Sequence, residues 1–179
     1  MKIRVKTEPA SEPFTASYAA DYVHPDGTYS DTPITALITA GRRAAEEFCG
    51  RSIAQKTYEL AFDCYPPDVI KLPYPDLISL TAITLTDMAG ATSSVATTGY
   101  IVDKFSSTLV RKIGATISNV SLQEANGFLI EYISGYAAVP EDIKQAILLY
   151  VKAQYEGIAP TDWMPSFEKL LYPHKVVSI

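Results

Sequence analysis

Cysteine and histidine are scarce in this chain of 179 residues, which contains only two of each. Cys49 and Cys64 give no disulfide framework, and no two cysteines or histidines have the spacing typical of a zinc site. His24 and His174 each stand beside a proline, in an expected loop. The sequence therefore predicts two free thiols, no metal and no cofactor.

The motifs of common catalysts are also missing. There is no Gly-X-Ser-X-Gly elbow, neither cysteine has an activating basic neighbour, and the nine glycines are scattered singly rather than grouped in a phosphate-binding loop. A glycosidase-like carboxylate pair stays open among five acids that lie in or beside expected strands, although solvated sheet positions and turns explain them equally. These acids are Asp63, Asp87, Asp103, Glu124 and Glu131. We predict no catalytic residue and a protein that is not an enzyme.

Long apolar runs and an excess of positive charge are absent too. No stretch approaches the roughly 20 apolar residues of a membrane span, and the first residues contain no apolar core of a signal peptide. Fifteen Lys and Arg against 20 Asp and Glu give a net charge of −5, which argues against a protein held on nucleic acid by phosphate contacts. We expect a soluble protein made in a reducing cytoplasm.

The sequence is rich in apolar residues and in tyrosine. Hydrophobic residues make up 47% of the chain, enough for a packed core, and twelve tyrosines outnumber six phenylalanines. Tyrosine suits surfaces that become half-buried against partners, but it also favours strands. Both interpretations of the tyrosines remain open at this point.

Helical periodicity is clearest over residues 33–49, after a short helix expected from Thr15 to about Val23 and a turn at His24. Apolar or small residues recur every three or four positions and define one face: Ile34, Leu37, Ile38, Gly41, Ala44, Ala45 and Phe48. The opposite face carries charges paired four residues apart: Arg42, Arg43, Glu46 and Glu47. Small residues around Gly41 should let a second helix approach closely, and Gly50 is expected as the left-handed cap.

Between residues 53 and 134 the hydrophobic period changes to two, which is typical of half-buried strands. Strands are expected over residues 56–64, 69–72, 80–86, 100–103, 109–113 and 128–134. Asn126-Gly127 is a strong hairpin signal before the last of them. This part of the chain therefore predicts a mainly antiparallel β module.

A second strong helix is expected over 140–156, because a proline and two acids occupy its first turn. Its expected inner face includes Tyr150 and Gln154. A loop, a short helix over 166–171 and a tail over 172–179 complete the chain.

The predicted class is α+β, a small helical bundle with an inserted mainly antiparallel β module. We expect one domain, 1–179, made of N-terminal helices (15–51), the β module (53–134) and C-terminal helices with the tail (139–179).

Several phrases, in order, resemble the long form of the head–tail connector family of tailed phages, also found in prophages and gene transfer agents. Residues 38–51, "ITAGRRAAEEFCGR", resemble the family's signature of a helix that is rich in small residues and ends in an aromatic residue, a Gly and an Arg. The most specific phrase is "IKLPYPDLISLTAITLTDMAG", residues 70–90, which resembles the family's Leu-Pro-X-Pro segment, strand and turn. "ISGYAAVPEDIKQAILLYVKAQYE" and "MPSFEKLLYPHKV" resemble its closing helices. The resemblance covers most of the chain.

This resemblance implies a non-enzymatic adaptor in the virion neck, a ring of about twelve subunits that joins the portal protein to other neck or tail proteins. DNA would pass through the ring without specific binding, and no membrane is involved. We expect the two strong helices to build the ring wall with Arg42, Arg43, Glu46, Glu47, Tyr150 and Gln154. The apolar tail is expected either to dock on a partner such as the portal or to pack on its own domain, through Tyr172, Pro173, His174, Val176, Val177 and Ile179.

Three other interpretations remain open. Another neck component, such as a stopper or a tail-completion protein, shares the same assembly logic. A carbohydrate- or protein-binding β domain would explain the Tyr-rich strands but not the two helices that bracket them. A small hydrolase would need a carboxylate pair that the sequence does not identify.

Overall fold

A computed structural model describes residues 1–23, 31–115, 117 and 120–176, with the backbone alone at residues 31 and 32. The turn expected at His24 lies outside the described residues. The chain divides into two compact units. The β unit comprises residues 1–9 and 55–135, and the helical unit comprises residues 10–54 and 136–179.

The β unit contains two antiparallel sheets. Its strands are β1 (Lys2–Thr7), β2 (Lys56–Phe62), β3 (Val69–Lys71), β4 (Leu77–Thr86), β5 (Thr92–Val95), β6 (Tyr100–Asp103), β7 (Thr108–Arg111) and β8 (Phe128–Ser134). The large sheet has the order β1-β2-β8-β4-β5 and the small sheet has the order β3-β7-β6. Every strand pair in the described chain is antiparallel. The predicted β module is therefore confirmed.

The central strand β8 shows why this sequence forms a sheet. Its residues alternate between buried and half-buried along the whole strand, so one face points into the core. Phe128, Ile130 and Tyr132 lie on the buried face, and Tyr58 and Leu60 stand opposite Tyr132 and Ile130 on β2. The period-two pattern of the sequence thus corresponds to the buried face of the large sheet.

The first strand was not predicted, although the alternation of its residues is visible in the sequence. Glu59 and Glu131 stand directly opposite each other on β2 and β8, an arrangement of like charges that destabilises a sheet. Strand β1 supplies the compensating cations, because Arg4 Nη2 lies 2.6 Å from Glu59 Oε1 and Lys6 pairs with Glu131. The N-terminal residues therefore belong to the sheet and neutralise these two carboxylates.

The small sheet contributes its inner face to the same hydrophobic core as the large sheet. Ile70, Leu109 and Tyr100 are buried there together with Leu60 and Ile83 of the large sheet. The strand expected over 109–113 instead ends at Arg111, and Ile113 is fully exposed in the turn that follows.

The described part of the helical unit contains four α-helices, α1 (Ala16–Val23), α2 (Asp31–Cys49), α3 (Glu141–Glu156) and α4 (Pro160–Leu171). A Cβ atom added at Gly41 would lie 3.0 Å from Tyr150 Cδ1 and 3.2 Å from Ile147 Cγ2. These distances are too short for a comfortable contact, so α3 packs at Gly41 because no side chain is there. The predicted close approach of a second helix is confirmed, as is the α+β class.

Helix α4 is longer than predicted. A loop was expected before a short helix over 166–171, but α4 begins at Pro160, which occupies a first-turn position where a missing N–H costs nothing. Trp163, Phe167 and Leu171 are spaced four residues apart and all three are buried. The free energy gained by burying these three apolar side chains outweighs the preference of the prolines and polar residues for a loop.

A buried ion network ties three segments of the helical unit together. Arg42, whose side chain is 1% exposed, donates from Nε and Nη2 to the two oxygens of Glu12 at 2.7 and 3.2 Å. Its Nη1 donates to Glu46 Oε2 at 2.9 Å, and Glu46 Oε1 accepts the Ile53 N–H at 3.0 Å. The hydroxyl of Thr39 also donates a hydrogen bond to Glu12 Oε1, at 2.9 Å. We call these five residues the Arg42 network.

Substitution of Arg42 tests this network. Arg42→Gln removes the buried cation that binds both Glu12 and Glu46, and we expect it to lower the free energy of unfolding by about 3–5 kcal/mol. Arg43→Gln, one position away on the exposed side of α2, is the matched control and should change it by less than about 0.5 kcal/mol. Urea unfolding followed by circular dichroism measures both. Equal effects of the two substitutions would show that the network does not stabilise the fold.

Candidate interaction surfaces

The residues predicted for the ring wall separate into buried and exposed groups. Arg42 and Glu46, predicted for the ring wall, form the expected i,i+4 pair but are buried in the Arg42 network inside one chain. That face of α2 is covered by the segment that carries Glu12. Arg43 and Glu47 are exposed on α2, as predicted.

On α3, Tyr150 and Gln154 were both predicted on the inner face. Tyr150 is half-buried and its ring packs edge-on against Trp163, with centroids 5.4 Å apart. Gln154 is exposed, because Ala153 rather than Gln154 is buried at this turn of the helix. The exposed residues of the predicted wall are therefore Arg43, Glu47 and Gln154.

The described part of the tail lies on its own helical unit. A single turn of 3₁₀ helix, Tyr172–His174, continues from α4 and leaves Tyr172 71% exposed and Pro173 exposed. The Val176 N–H then donates to the carbonyl of Cys49 at 2.8 Å. Val177 and Ile179, also predicted for docking, lie outside the described residues.

His174 anchors the tail through a chain of polar contacts. Its Nε2 lies 2.5 Å from Asp142 Oδ2 at the start of α3, and its Nδ1 lies 3.3 Å from the Tyr136 hydroxyl. That hydroxyl accepts a hydrogen bond from Arg51 at 2.5 Å. Burial alone would raise the pKa of Asp142, but the hydrogen bonds from His174 and from the Ile143 N–H outweigh it and lower that pKa below its usual value.

Exposed tyrosines occur on the helical unit, whereas those of the strands are largely buried. Tyr58, Tyr100 and Tyr132 contribute to the core of the β unit, in keeping with the strand preference of tyrosine. On the helical unit, Tyr18 is 50% exposed and Tyr22 is 42% exposed, four residues apart on α1. The strand preference therefore accounts for the tyrosines of the β-unit core, and a role in partner surfaces stays a prediction for the exposed pair on α1.

The acids that left a hydrolase open all serve turns or the sheet, apart from Glu124, which is exposed. Asp87 Oδ1 accepts the N–H groups of Ala89 and Ala91 within one turn. The Ser106 hydroxyl and the N–H groups of residues 105 and 106 donate to Asp103 and hold its pKa below the usual value. Asp63 accepts the Asn126 N–H, and Glu131 pairs with Lys6 as described above.

Neither the thiols nor the acids of the described chain suggest bound metal. Burial raises the pKa of Cys49 to about 11, so it remains a neutral thiol, and Cys64 is exposed. Among the described residues, no three side chains of His, Cys, Asp or Glu converge as metal ligands would. None of the described helices has both the length and the hydropathy needed to cross a bilayer.

Acid should weaken the contact between the tail residue His174 and Asp142 by protonating the Asp142 carboxylate. Because its folded pKa is lowered, the carboxylate stabilises the fold above its unfolded pKa of about 3.9, and this contribution is lost as pH falls through the folded pKa. His174→Ala should therefore lower the free energy of unfolding by about 1 kcal/mol or less at pH 5, since Asp142 is 42% exposed, and the deficit should shrink toward pH 3.

Urea unfolding across this pH range measures the difference, with Lys175→Ala as the control. Lys175 lies over the Phe48 ring and forms no ion pair with a carboxylate of residues 1–23 or 33–176, so the deficit of Lys175→Ala should not vary with pH. A His174→Ala deficit that stays constant down to pH 3 contradicts the assignment to Asp142.

Comparison with known proteins gives one family and several similar structures. A family model described as head completion protein matches residues 14–156, which include parts of both units. No curated protein sequence matches the chain. Chains of known structure match it over its whole length at low sequence identity.

Three of these structures come from gene transfer agent (GTA) particles. A chain of "Virion of native gene transfer agent (GTA) particle" is 21% identical with a TM-score of 0.77. A chain of "Neck of empty GTA particle computed with C6 symmetry" is 19% identical with a TM-score of 0.78. A chain of "Neck of native GTA particle computed with C12 symmetry" is 20% identical with a TM-score of 0.71. Each match covers 100% of this chain and 97% of the other, so the fold is shared from end to end.

The family match extends from the segment before α1 to the last residue of α3, and the resemblance seen in the sequence phrases is confirmed: the chain belongs to the head completion protein family.

Proposed function

We propose that this chain is a structural subunit of the head–tail junction of a tailed phage or phage-like particle, where it forms a ring below the portal. The observation that carries the proposal is the family match over residues 14–156. Support comes from the shared fold, because the similar chains belong to structures of GTA necks and of a GTA virion. The role is one of assembly and requires no turnover of a substrate.

The proposed ring contains about twelve copies, in line with the C12 symmetry in which one of the similar necks was computed. A closed ring needs a heterologous contact, in which one surface of a subunit meets a different surface of the next. Arg43 and Glu47 on α2 and Gln154 on α3 are the exposed members of the predicted wall and are our candidates for this contact. The exposed Tyr18 and Tyr22 add the amphipathic side chains that interfaces favour.

We propose that the end of the tail docks on the portal. The tail reaches Val176 through contacts with its own unit, and Tyr172 is exposed beside them. The sequence continues with residues 177–179, Val-Ser-Ile, two of which are apolar. This arrangement gives the tail two functions, with residues 172–176 serving the fold and residues 177–179 serving the partner.

The net charge suits a passage for DNA. Twelve copies at −5 each give a ring with a charge of roughly −60, which repels phosphate and disfavours sticking of DNA to the wall. DNA would thus pass the junction without specific binding, as the sequence suggested.

Assembly on heads that lack this protein tests the proposal. DNA-filled heads carrying the portal are mixed with the purified chain and viewed by electron microscopy, while the chain alone is followed by light scattering. We expect an annular density below the portal and restored tail joining, whether or not the isolated chain is monomeric. Heads that gain no density and no tails would overturn the proposed function.

A truncated chain in the same assay tests the docking of the tail. Removal of residues 177–179 leaves the His174 and Val176 contacts in place, so the urea midpoint should match that of the full chain while binding to heads falls at least about tenfold, or about 1.4 kcal/mol. Removal of 172–179 is the comparison and should reduce both stability and binding. Full binding by the chain lacking 177–179 would show that the tail end does not dock.

A further inference from the structure

The small sheet of the β unit has two unpaired edges in the part of the chain that the structure describes. Its order is β3-β7-β6, so β3 and β6 are the outer strands, and both run antiparallel to β7 and hence parallel to each other. Edge strands present a row of unpaired N–H and C=O groups that can pair with another chain. Only backbone N–H and C=O groups that point away from β7 can form such hydrogen bonds with another chain.

Strand β3 turns the backbone groups of Val69 and Lys71 toward its free edge. The Arg111 N–H donates to the Asp68 carbonyl at 2.7 Å and the Leu72 N–H donates to the Ser107 carbonyl at 3.0 Å. In an antiparallel ladder successive residues alternate between facing the partner strand and facing away. Since residues 68 and 72 face β7, Val69 and Lys71 face away from it.

Strand β6 turns Val102 toward the opposite free edge. The Lys112 N–H donates to the Gly99 carbonyl at 2.9 Å, so residue 99 faces β7 and the alternation places Ile101 and Asp103 toward β7 as well. The N–H and C=O of Val102 therefore face outward, on the side where no strand of the described chain pairs.

The outer face of the small sheet carries two rows of side chains that cross all three strands. Val69, Val110 and Ile101 stand side by side in register, and Val69 is 57% exposed and Ile101 50% exposed. The next row is Lys71, Thr108 and Asp103, which places a cation on one edge and an anion on the other. Both rows end at the free edges.

We propose that the small sheet continues from one copy of the chain to the next, with β6 of one copy in parallel beside β3 of its neighbour. With Val102 opposite Ile70 of the next copy, the Val102 N–H reaches the neighbour's Val69 carbonyl, and its C=O receives the neighbour's Lys71 N–H. The same register places Ile101 beside Val69 and Asp103 beside Lys71. This inference rests on the proposed function, which brings identical copies side by side.

A second copy fits these edges better than an unrelated strand does, because one register satisfies three requirements together. It pairs the outward backbone groups, extends the aliphatic row and joins opposite charges. Opposite edges with complementary charge also make the contact heterologous, which is the type that a ring requires. A two-fold antiparallel dimer centred on Ile70 of β3 would instead place Lys71 opposite Val69, and one centred on Val102 of β6 would place Asp103 opposite Ile101, so neither joins opposite charges.

Cysteine cross-linking tests the proposal. In a Cys64→Ser parent, Val69→Cys and Ile101→Cys place thiols on strands that are two apart within one copy, roughly 9–10 Å, which is too far for a disulfide. In the proposed contact, adjacent strands hold them about 4.8 Å apart at Cα, within disulfide range. Oxidation with diamide after assembly on heads should give a ladder of linked oligomers in non-reducing gels. Each single substitution should give no species larger than a dimer.

A proline variant probes the backbone contact separately. Lys71→Pro removes an N–H that faces the free edge and leaves the β7 ladder intact, as proline allows on an edge strand. We expect an unchanged circular dichroism spectrum and at least about tenfold weaker ring assembly. Lys71→Ala, which keeps the N–H, should weaken assembly less.

The outcomes separate the two proposals. Annular density on heads without a ladder, and full assembly by Lys71→Pro, would overturn the sheet continuation while the proposed function stands. No annular density with the Cys64→Ser parent would overturn the proposed function and, with it, this inference. A ladder together with annular density supports both.

Discussion

A buried guanidinium holds the helical unit in its arrangement. Arg42 is 1% exposed, and burying such a charge is costly unless every donor finds an acceptor. Glu12 meets the guanidinium with two parallel hydrogen bonds, and Glu46 adds a third while also accepting a backbone N–H beyond the end of α2. The segment before α1, helix α2 and the segment after α2 are thereby fixed to one another. Arg43 and Glu47, on the same helix, are exposed.

Local patterns predicted most of the elements, because a helix or a strand depends mainly on neighbours within a few residues. The close approach at Gly41 and the alternation of β8 were both visible in this way. Strand β1 was missed because its stability comes from pairing with β2, fifty or more residues away, and from the ion pairs of Arg4 with Glu59 and of Lys6 with Glu131. The extension of α4 to Pro160 was missed for a related reason: the burial of Trp163 depends on α3 and not on the local sequence.

The candidate surfaces show the same limit. Arg42 and Arg43 are adjacent, identical in type and four residues before a glutamate, yet one is buried and the other exposed. Glu12, thirty residues earlier, binds Arg42, and no local pattern in the sequence links the two residues. The sequence also predicted the strands that become β3 and β6 without their order, so it could not show that both are edges. Interface residues are thus the least predictable, because they are defined by what the rest of the fold leaves uncovered.

The edges of the small sheet also bear on when copies would associate. Strands of three and four residues offer few backbone hydrogen bonds, and a lysine on an edge discourages indiscriminate pairing. Such edges protect a free chain from aggregation, but they leave little affinity for pairing in dilute solution. In the proposed ring, the portal would gather copies side by side, and the higher effective concentration would let the same few bonds suffice. The short β3 and β6 thus favour a sheet that closes on the assembled junction rather than in free solution, which would confine ring formation to the place where the ring is needed.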